Sequence, residues 1–261
     1  MRAQAEPWRF TNTGFNSGAF NMEFDERMAR SVQSGAEPPT VRVYGWKPHA
    51  ISLGHHQAIT DIDEKACRDR GIDIVRRATG GRAILHAHEL TYSIAMHAAG
   101  RTISDVYASI SEALACGLRT LGARVEFAAV QPEFSVLYKQ PSAIPCFASS
   151  ARHEIQFEGK KLVGSAQRRY ASQDFPETVM QHGSILLGEE HQQLIDLLAL
   201  RDESLRERMR KGMIEKTTTL ESILGRRVGF DEAACALKTG FEQCWGIHFI
   251  DAQQSSFAMS G

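Results

Sequence analysis

The sequence predicts an α+β fold in which a mixed, largely antiparallel β-sheet is flanked by helices. Three observations support this class. Runs of β-forming residues alternate with helical patterns in the first half of the chain, β-like runs cluster in the middle, and the last third shows helical patterns. The chain has 261 residues, of which 43% are hydrophobic. That length and composition are ordinary for one large globular domain, so we expect a single domain over residues 1–261.

Apolar spacing and turn residues predict the elements of the first half. They are a helix over 18–33, strands at Thr40–Trp46 and Ala50–Leu53, a short helix over 61–70, strands at 72–76 and 90–97, and a long helix over about 103–121. Met22, Met28 and Val32 supply the apolar face of the first helix. Asp61 with Glu64 resembles a capping box that would start the second helix. The long helix carries apolar residues at helical spacing, namely Ile103, Val106, Ile110, Leu114 and Leu118.

The second half is predicted as strands followed by helices. The strands lie at 153–157, 161–166 and 178–187, and the helices at about 190–199, 202–214 and 230–245. Glu158 and Gly159 are typical of a tight hairpin turn between the first two of these strands. The stretch 201–216 carries six basic and four acidic residues, which indicates a solvated helical face.

Charge and cysteine content argue against several classes of protein. The chain has 30 Lys and Arg against 31 Asp and Glu, a net charge of −1, so it lacks the positive field that holds nucleic-acid phosphates. No apolar run approaches the ~20 residues of a membrane span, and the first ten residues lack the apolar region of a secretory signal. We therefore expect a cytoplasmic protein that binds neither nucleic acid nor membrane. Five cysteines without a CxxC pair argue against a disulfide framework or a structural zinc site.

Residues 76–86 form the first candidate site. Two adjacent glycines, Gly80 and Gly81, follow a predicted strand and let backbone N–H groups approach a ligand closely. Three arginines, Arg76, Arg77 and Arg82, suit a phosphate or a carboxylate. The alternative is a tight turn with solvated arginines, which is common for a bare glycine pair. The segment matches neither a Walker A loop nor a dinucleotide-binding glycine motif.

Cys146 and Lys161 form the second candidate. Cys146 follows two prolines in a predicted loop, and a thiol near a lysine ammonium would have a depressed pKa and act as a nucleophile. The alternative is that Cys146 is an inert thiol. Hairpin register alone does not place Lys161 beside it, so that contact requires the loop to fold back.

Histidines mark the remaining candidates. His182 lies beside Gly183 within a predicted strand, where the pair either lines a pocket or forms a bulge. His86 and His88 have metal-ligand spacing, but no cluster of carboxylates or cysteines completes a tetrahedral set, so we expect no metal. The chain contains no GxSxG sequence, which argues against a serine hydrolase of that type.

Taken in order, three segments resemble the lipoyl branch of the biotin/lipoate protein ligase superfamily. They are residues 76–86, residues 159–167 (Gly159 to Gln167) and residues 181–186 (Gln181 to Leu186). The resemblance covers about 15–245 and implies that family's catalytic-domain fold. Within the branch, Arg82 after the glycine pair and a cysteine fifteen residues before the motif lysine are similar to the cysteine-dependent octanoyl-[acyl-carrier-protein]:protein N-octanoyltransferases.

The resemblance implies a set of site residues and partners. Cys146 would carry octanoyl as a thioester and Lys161 would favour its thiolate. The implied substrate-binding residues are Arg76, Arg77, Thr79, Gly80, Gly81, Arg82, Ala83, His86, Gly164, Ser165, Ala166, His182 and Gly183. The implied donor is octanoyl-acyl carrier protein, and the acceptor is a lysine of a lipoyl domain, such as glycine cleavage H protein or 2-oxoacid dehydrogenase E2. No cofactor or metal is implied.

Three other functions remain open at this point. An ATP-dependent lipoate-protein ligase would need ATP and Mg²⁺, with Arg76 and Arg77 on the adenylate phosphate and Cys146 as a bystander. An amidotransferase would move octanoyl between lipoyl domains. A lipoyl-domain binding protein would bind its partner without acylating it.

Overall fold

The structure is a computed structural model that describes residues 7–128 and 153–250. Its strands are β1 (Trp8–Asn16), β2 (Thr40–Trp46), β3 (Ala50–Leu53), β4 (Asp73–Arg76), β5 (Ile84–His86), β6 (Glu89–His97), β7 (Glu126–Phe127), β8 (Ile155–Phe157), β9 (Lys160–Lys161), β10 (Val163–Tyr170), β11 (Thr178–Leu186) and β12 (Phe249–Ile250). Its α-helices are α1 (Gly18–Gln33), α2 (Glu64–Asp69), α3 (Ile103–Thr120), α4 (Glu203–Lys216), α5 (Leu220–Leu224) and α6 (Phe230–Trp245). Two 3₁₀ helices span Ile59–Asp61 and Glu189–Leu197.

A six-stranded main sheet has the order β10-β11-β6-β2-β1-β12. The pairings β10–β11, β11–β6 and β6–β2 are antiparallel, whereas β1 pairs in parallel with β2 and β12. Two three-stranded sheets, β4-β3-β5 and β7-β8-β9, complete the described strands. The predicted α+β class with a mixed, largely antiparallel sheet is therefore confirmed.

The two faces of the main sheet differ in chemistry. Along β6, Leu90, Tyr92 and Ile94 point to one face and Glu89, Thr91 and Ser93 to the other, because side chains alternate along a strand. The first face packs against α3 and α6 in the largest apolar core. The second, which we call the polar face, is covered by α1. A polar face that is buried needs internal hydrogen bonds, and these build the site described below.

Most of the predicted elements are confirmed. The predicted helices over 18–33, 103–121 and 230–245 lie within two residues of the observed bounds, and so do six of the seven predicted strands. The Glu158–Gly159 turn is also confirmed, with both residues at positive φ. The return strand is longer than predicted. It breaks after Lys161 and continues as β10 to Tyr170 in the main sheet.

Several local predictions were wrong. The side chain that caps α2 is Asp63, which accepts from the N–H of Ala66, because a 3₁₀ turn places Asp61 one turn earlier. The predicted helix at 190–199 is the 3₁₀ helix Glu189–Leu197. Ile103 is 62% exposed, because it is the first residue of α3 and lies beyond the edge of the core. No helix in the described ranges has an apolar stretch long enough to cross a bilayer.

Candidate active site

A narrow cavity lies between the polar face, α1 and the sheet β4-β3-β5. Its lining consists of Met22, Tyr44, Trp46, Ser52, Arg77, Ile84, His86, Thr91, Gly164, Ser165, Ala166, His182, Gly183 and Ser184. Many of these side chains are polar, yet the surface that they expose to the cavity is almost wholly apolar. The reason is that their polar atoms bond to one another, in two networks.

Glu89 is the centre of the first network. Its Oε1 accepts hydrogen bonds from Thr91 Oγ1 and from Ser184 Oγ, the latter at 2.8 Å, and lies 2.8 Å from His86 Nδ1. Trp46 Nε1 donates to Thr91 Oγ1 at 2.7 Å, so three strands of the main sheet meet at one carboxylate. Glu89 is only 3% exposed. Its bonds therefore fix the cavity wall without presenting a charge to the cavity.

The ring of His86 is held on both edges and on one face. Opposite Glu89, its Nε2 lies 2.7 Å from Ser52 Oγ, which accepts from the Arg77 guanidinium at 2.9 Å. The ring stacks on Trp46 with centroids 4.0 Å apart and an interplanar angle of 10°. These contacts leave carbon atoms as the exposed part of His86, which suits an apolar ligand.

Asp25, from α1, is the centre of the second network. Its Oδ1 accepts from Arg42 at 2.7 Å and its Oδ2 accepts from the Tyr44 hydroxyl at 2.9 Å and lies 3.2 Å from His182 Nδ1. The other ring nitrogen of His182 lies 2.6 Å from Thr79 Oγ1. This network connects α1, β2 and β11 to the glycine loop that follows β4.

The titration of this network follows from its charges. Burial alone would raise the pKa of Asp25, but the hydrogen bond with His182 and the positive charge of Arg42 outweigh it and lower that pKa. Burial and the negative charge of Asp25 raise the pKa of Tyr44 well above its usual value. Asp25 is therefore a buried carboxylate that is paired, and Tyr44 stays a neutral donor.

Arg76 and Arg77 shape the glycine loop. Arg77 is 3% exposed and donates to the carbonyls of Ser52, Gly80 and Arg82 at 2.7–3.2 Å. Arg76 donates through one nitrogen to backbone carbonyls of the 54–57 segment at 2.7–3.1 Å. The alternative of solvated arginines is wrong for Arg77, because its guanidinium is bound by carbonyls of its own loop and by Ser52 of β3.

Gly183 of β11 allows the Tyr92 side chain and the backbone of β10 to approach the strand closely. A Cβ there would lie 2.4 Å from the carbonyl oxygen of Gly164 and 2.8 Å from the ring of Tyr92. The Tyr92 hydroxyl passes over this glycine to reach Ser165 Oγ at 2.6 Å and accepts from Gln181 at 3.2 Å. Burial raises the pKa of Tyr92 to about 12, although both hydrogen bonds act in the opposite direction. The glycine is thus required by packing. Of the two alternatives that the sequence leaves open, the bulge is excluded because β10, β11 and β6 pair without interruption.

Lys161 is buried, although a lysine at a strand end is ordinarily solvated. Its side chain is 2% exposed, and Nζ lies 2.8 Å from Glu154 Oε1, itself 4% exposed. Three residues further on, Gly164 lines the cavity. The predicted nucleophile Cys146 lies outside the described residues.

The structure brings about half of the predicted substrate-binding residues to the cavity. Those that line it are Arg77, His86, Gly164, Ser165, Ala166, His182 and Gly183. The predicted residues outside its lining are Arg76, which ends β4, and Thr79, Gly80, Gly81, Arg82 and Ala83, which belong to the loop that follows β4.

Sequence reasoning missed the other half of the wall. The lining residues that were not assigned individually are Met22, Tyr44, Trp46, Ser52, Ile84, Thr91 and Ser184. Ile84 and Ser184 nevertheless lie within the segments 76–86 and 181–186 that the sequence analysis singles out. The supporting residues Asp25 and Glu89 were also missed. One signal could have found some of them, namely polar residues at alternate positions of an otherwise apolar strand, as in Glu89, Thr91 and Ser93.

This combination of fold and site is that of a known enzyme family. The model of the lipoyl protein ligase A/B catalytic domain matches residues 17–242, and the chain belongs to this family. It is an acyltransferase: octanoyltransferase LipM of Kyrpidia tusciae is 38% identical over 92% of this chain and 88% of the relative. Octanoyltransferase LipM of Bacillus subtilis is 37% identical over 94% of this chain and 88% of the relative.

Solved structures show the same fold at lower identity. A bipartite lipoate protein ligase from Thermoplasma acidophilum, studied with its E2 lipoyl domain, has a TM-score of 0.74 at 22% identity and covers 94% of this chain and 86% of that one. Lipoate-protein ligase A bound with ATP has a TM-score of 0.72 at 21% identity and covers 95% of this chain and 88% of that one. At this identity the likeness concerns the fold alone.

Proposed function

We propose that the protein is an octanoyltransferase of protein lipoylation that carries octanoyl on Cys146 as a thioester. The observation that carries the proposal is the cavity, whose polar lining is satisfied internally and whose exposed surface is apolar. Such a wall contacts an alkyl chain without burying an unpaired polar atom of its own lining residues. In the network behind the wall, Glu89 Oε2 is buried and has no hydrogen-bond partner among the described residues. The similarity to octanoyltransferases supports octanoyl as the chain.

The proposed reaction has two half-reactions. The Cys146 thiolate attacks the thioester carbonyl of the donor, a new thioester to Cys146 forms, and the donor thiol leaves with one proton. The neutral amine of an acceptor lysine then attacks the Cys146 thioester, the amide forms and the Cys146 thiol is released. Because the amide is more stable than the thioester, no ATP is consumed. One covalent intermediate between two substrates predicts ping-pong kinetics.

Lys161 has a defined place in this scheme. A buried ammonium three residues before the cavity wall stabilises negative charge, first on the Cys146 sulfur and then on the carbonyl oxygen of the tetrahedral intermediate. Gly164 and Gly183 have no side chain, so the acyl chain can lie close to the backbone there. His86 and His182 contribute carbon surface to the wall rather than free nitrogen atoms.

The proposed donor is octanoyl-acyl carrier protein, and the proposed acceptor is a lysine on a lipoyl domain, in the cytoplasm. The names of the related octanoyltransferases support octanoyl as the transferred group. The lipoyl domain as acceptor is supported by the Thermoplasma acidophilum ligase, which was studied with its E2 lipoyl domain. An amidotransferase that takes octanoyl from a second lipoyl domain would use the same intermediate, so the donor distinguishes the two.

The ATP-dependent ligase is the second candidate, favoured by the fold of lipoate-protein ligase A. The bonds of Arg77 argue against it, because Ser52 and the backbone of the glycine loop occupy donors that an adenylate phosphate would need. Arg76 has one nitrogen engaged in such bonds. Activity with octanoate or lipoate only in the presence of Mg-ATP would favour the ligase.

Intact-protein mass spectrometry tests the proposal directly. The protein is mixed with octanoyl-acyl carrier protein without ATP, and in parallel with an octanoylated lipoyl domain. We expect a mass gain of one octanoyl group from the first donor that hydroxylamine removes and that Cys146→Ala lacks. A gain only from the octanoylated lipoyl domain would identify the amidotransferase, and no gain from either donor would overturn the thioester mechanism.

A further inference from the structure

A second hollow, which we call the basic groove, lies beside the cavity and has a volume of about 460 Å³. Trp46 lines both hollows, so the two are adjacent. The turn between β2 and β3 contributes Lys47 and His49 to the groove, and the turn between α2 and β4 contributes Arg70 and Ile72. Apart from Trp46, the lining residues of the groove have no role in the proposed reaction.

Backbone hydrogen bonds hold the two turns of the basic groove in place. The N–H of Lys47 donates to the carbonyl of Asn16 at 2.9 Å, and the N–H of Asp73 donates to the carbonyl of His49 at 2.9 Å. The N–H of Arg70 donates to carbonyls of α2 at 3.2 Å. Both basic residues therefore stand on a fixed frame, as a preorganised binding site requires.

Lys47 and Arg70 give the groove its positive charge. Both residues are exposed, and neither side chain has a hydrogen-bond or ion-pair partner within residues 7–128 and 153–250. By contrast, Lys65 on the neighbouring helix α2 pairs with Asp69 at 2.6 Å. None of the described residues that line the groove is acidic. Two cations without a counter-charge on one fixed frame favour an anionic ligand, and both lysine and arginine bind phosphate.

Apolar side chains line another part of the groove. Phe15 is 54% exposed, and its ring lies against Gly45, where an added Cβ would be only 2.4 Å away. The ring centroid of Phe15 is 4.9 Å from that of Phe230. Trp46 and Ile72 add further apolar surface. The groove therefore suits a ligand that carries a phosphate together with alkyl groups.

We propose that the basic groove binds the 4′-phosphopantetheine arm of the acyl donor, with its phosphate at Lys47 and Arg70. The inference rests on the proposed function, in which the donor is a thioester. Such an arm has a phosphate at one end and the acyl thioester at the other, with amide and methyl groups between them. The two ends would then occupy the two hollows that share Trp46. No bond is made or broken in the groove, which contributes binding energy alone.

Two model donors that differ only in the phosphate test this inference: octanoyl-4′-phosphopantetheine and octanoyl-pantetheine. The rate of octanoyl-enzyme formation at low donor concentration is measured for each by intact-protein mass spectrometry. We expect the wild type to prefer the phosphorylated donor about tenfold or more, because a hydrogen bond between a cation and a phosphate contributes about a factor of ten.

Lys47→Gln/Arg70→Gln removes both charges of the groove, and Lys65→Gln/Arg68→Gln is the matched control. The control removes one lysine and one arginine from α2, where carboxylates of the same helix pair with them. We expect the preference for the phosphorylated donor to fall to about one in the groove variant and to persist in the control. Because the preference is a ratio within one protein, a general loss of activity cancels. Thermal unfolding confirms that both variants are folded.

Octanoyl-acyl carrier protein and octanoyl-coenzyme A distinguish the two sources of the arm. We expect the groove variant to form the adduct about tenfold more slowly than the control with carrier protein as donor. The same loss with octanoyl-coenzyme A would support recognition of the arm from either source. A loss with carrier protein, in a protein that shows no phosphate preference between the model donors, would indicate a contact with the carrier protein itself and would overturn the inference.

The remaining outcomes separate this inference from the proposed function. A wild-type protein that forms no octanoyl adduct with any donor would overturn the proposed function and the inference with it. A wild-type protein that reacts equally fast with both model donors would overturn the inference alone. A phosphate preference that the folded groove variant retains would also overturn it, since the phosphate would then bind elsewhere.

Discussion

Asp25 Oδ2 lies 3.2 Å from Nδ1 of His182, although the two residues are 157 positions apart in the chain. The contact ties α1 to β11 behind the cavity wall. Arg42 completes it from β2, with 2.7 Å between its guanidinium and Asp25 Oδ1. From the sequence alone, His182 could line a pocket or belong to a bulge. The structure places it in the wall of the cavity, and the carboxylate of Asp25 from the first helix sets the orientation of its ring.

The first prediction concerns the acid sensitivity of Asp25. The folded protein lowers the pKa of Asp25, so its contribution to stability is complete above the unfolded value of about 3.9 and is lost as the pH falls through the lower folded value. We expect Asp25→Asn to lower the free energy of unfolding at pH 7 by about 3–5 kcal/mol, because Arg42 is left as an uncompensated buried charge. We also expect the variant to lose less stability than the wild type between pH 4 and pH 2. Urea unfolding followed by circular dichroism at several pH values measures both effects.

Asp69→Asn is the matched control. Its carboxylate is exposed and pairs with Lys65 one helical turn away, so we expect a change within about 0.5 kcal/mol and an unaltered pH dependence. Equal effects of the two substitutions would contradict the assignment of Asp25 as a buried, paired carboxylate.

The second prediction concerns Gly183. An added methyl group would meet the carbonyl oxygen of Gly164 at 2.4 Å and the Tyr92 ring at 2.8 Å, so we expect Gly183→Ala to destabilise the protein by about 1–3 kcal/mol. Gly212→Ala is the control, because a Cβ at Gly212 meets nothing within 4 Å and Gly212 lies inside α4. There we expect stabilisation by up to about 1 kcal/mol. Opposite signs of the two shifts in the midpoint of thermal unfolding are the expected result.

The sequence predicts what local patterns encode. The strand Thr40–Trp46 and the helix Phe230–Trp245 follow from hydrophobic periodicity and appear with the predicted bounds. The strand Trp8–Asn16 was missed, because only half of it is in contact with the core and it has no clear alternation. The short helix Leu220–Leu224 was missed because five residues carry too little periodic signal.

Half of the site depends on register between distant strands, which no local pattern contains. Trp46 and Thr91 meet because β2 and β6 pair in one register, and a shift of one strand by one residue would place the two side chains on opposite faces of the sheet. Asp25 was missed for a different reason: in a helix of mixed polarity an acidic residue is ordinarily solvated. Its burial becomes visible only when Arg42 is placed opposite it.

The third prediction concerns the thiol of Cys146, which the sequence places in a loop. If it is the acyl carrier, Cys146→Ser should fold with a free energy of unfolding within about 0.5 kcal/mol of the wild type and form no hydroxylamine-sensitive octanoyl adduct. Urea unfolding and intact-protein mass spectrometry measure the two properties. A variant that unfolds would identify Cys146 as structural, which contradicts the proposed mechanism.

The last prediction concerns the influence of Lys161 on that thiol. Removing a neighbouring cation disfavours the thiolate, so Lys161→Ala should move the pH profile of Cys146 alkylation upward by about one unit or more. Peptide mass spectrometry after brief treatment with iodoacetamide resolves each cysteine. Cys244 is an internal reference within the same molecule: burial and the neighbouring Cys116 thiol raise its pKa, and its profile should be the same in both proteins. A shift at Cys146 with no shift at Cys244 would assign the effect to the charge of Lys161. If both profiles stay unchanged in a folded variant, Lys161 does not contact the thiol, and its charge acts only later, on the oxygen of the tetrahedral intermediate.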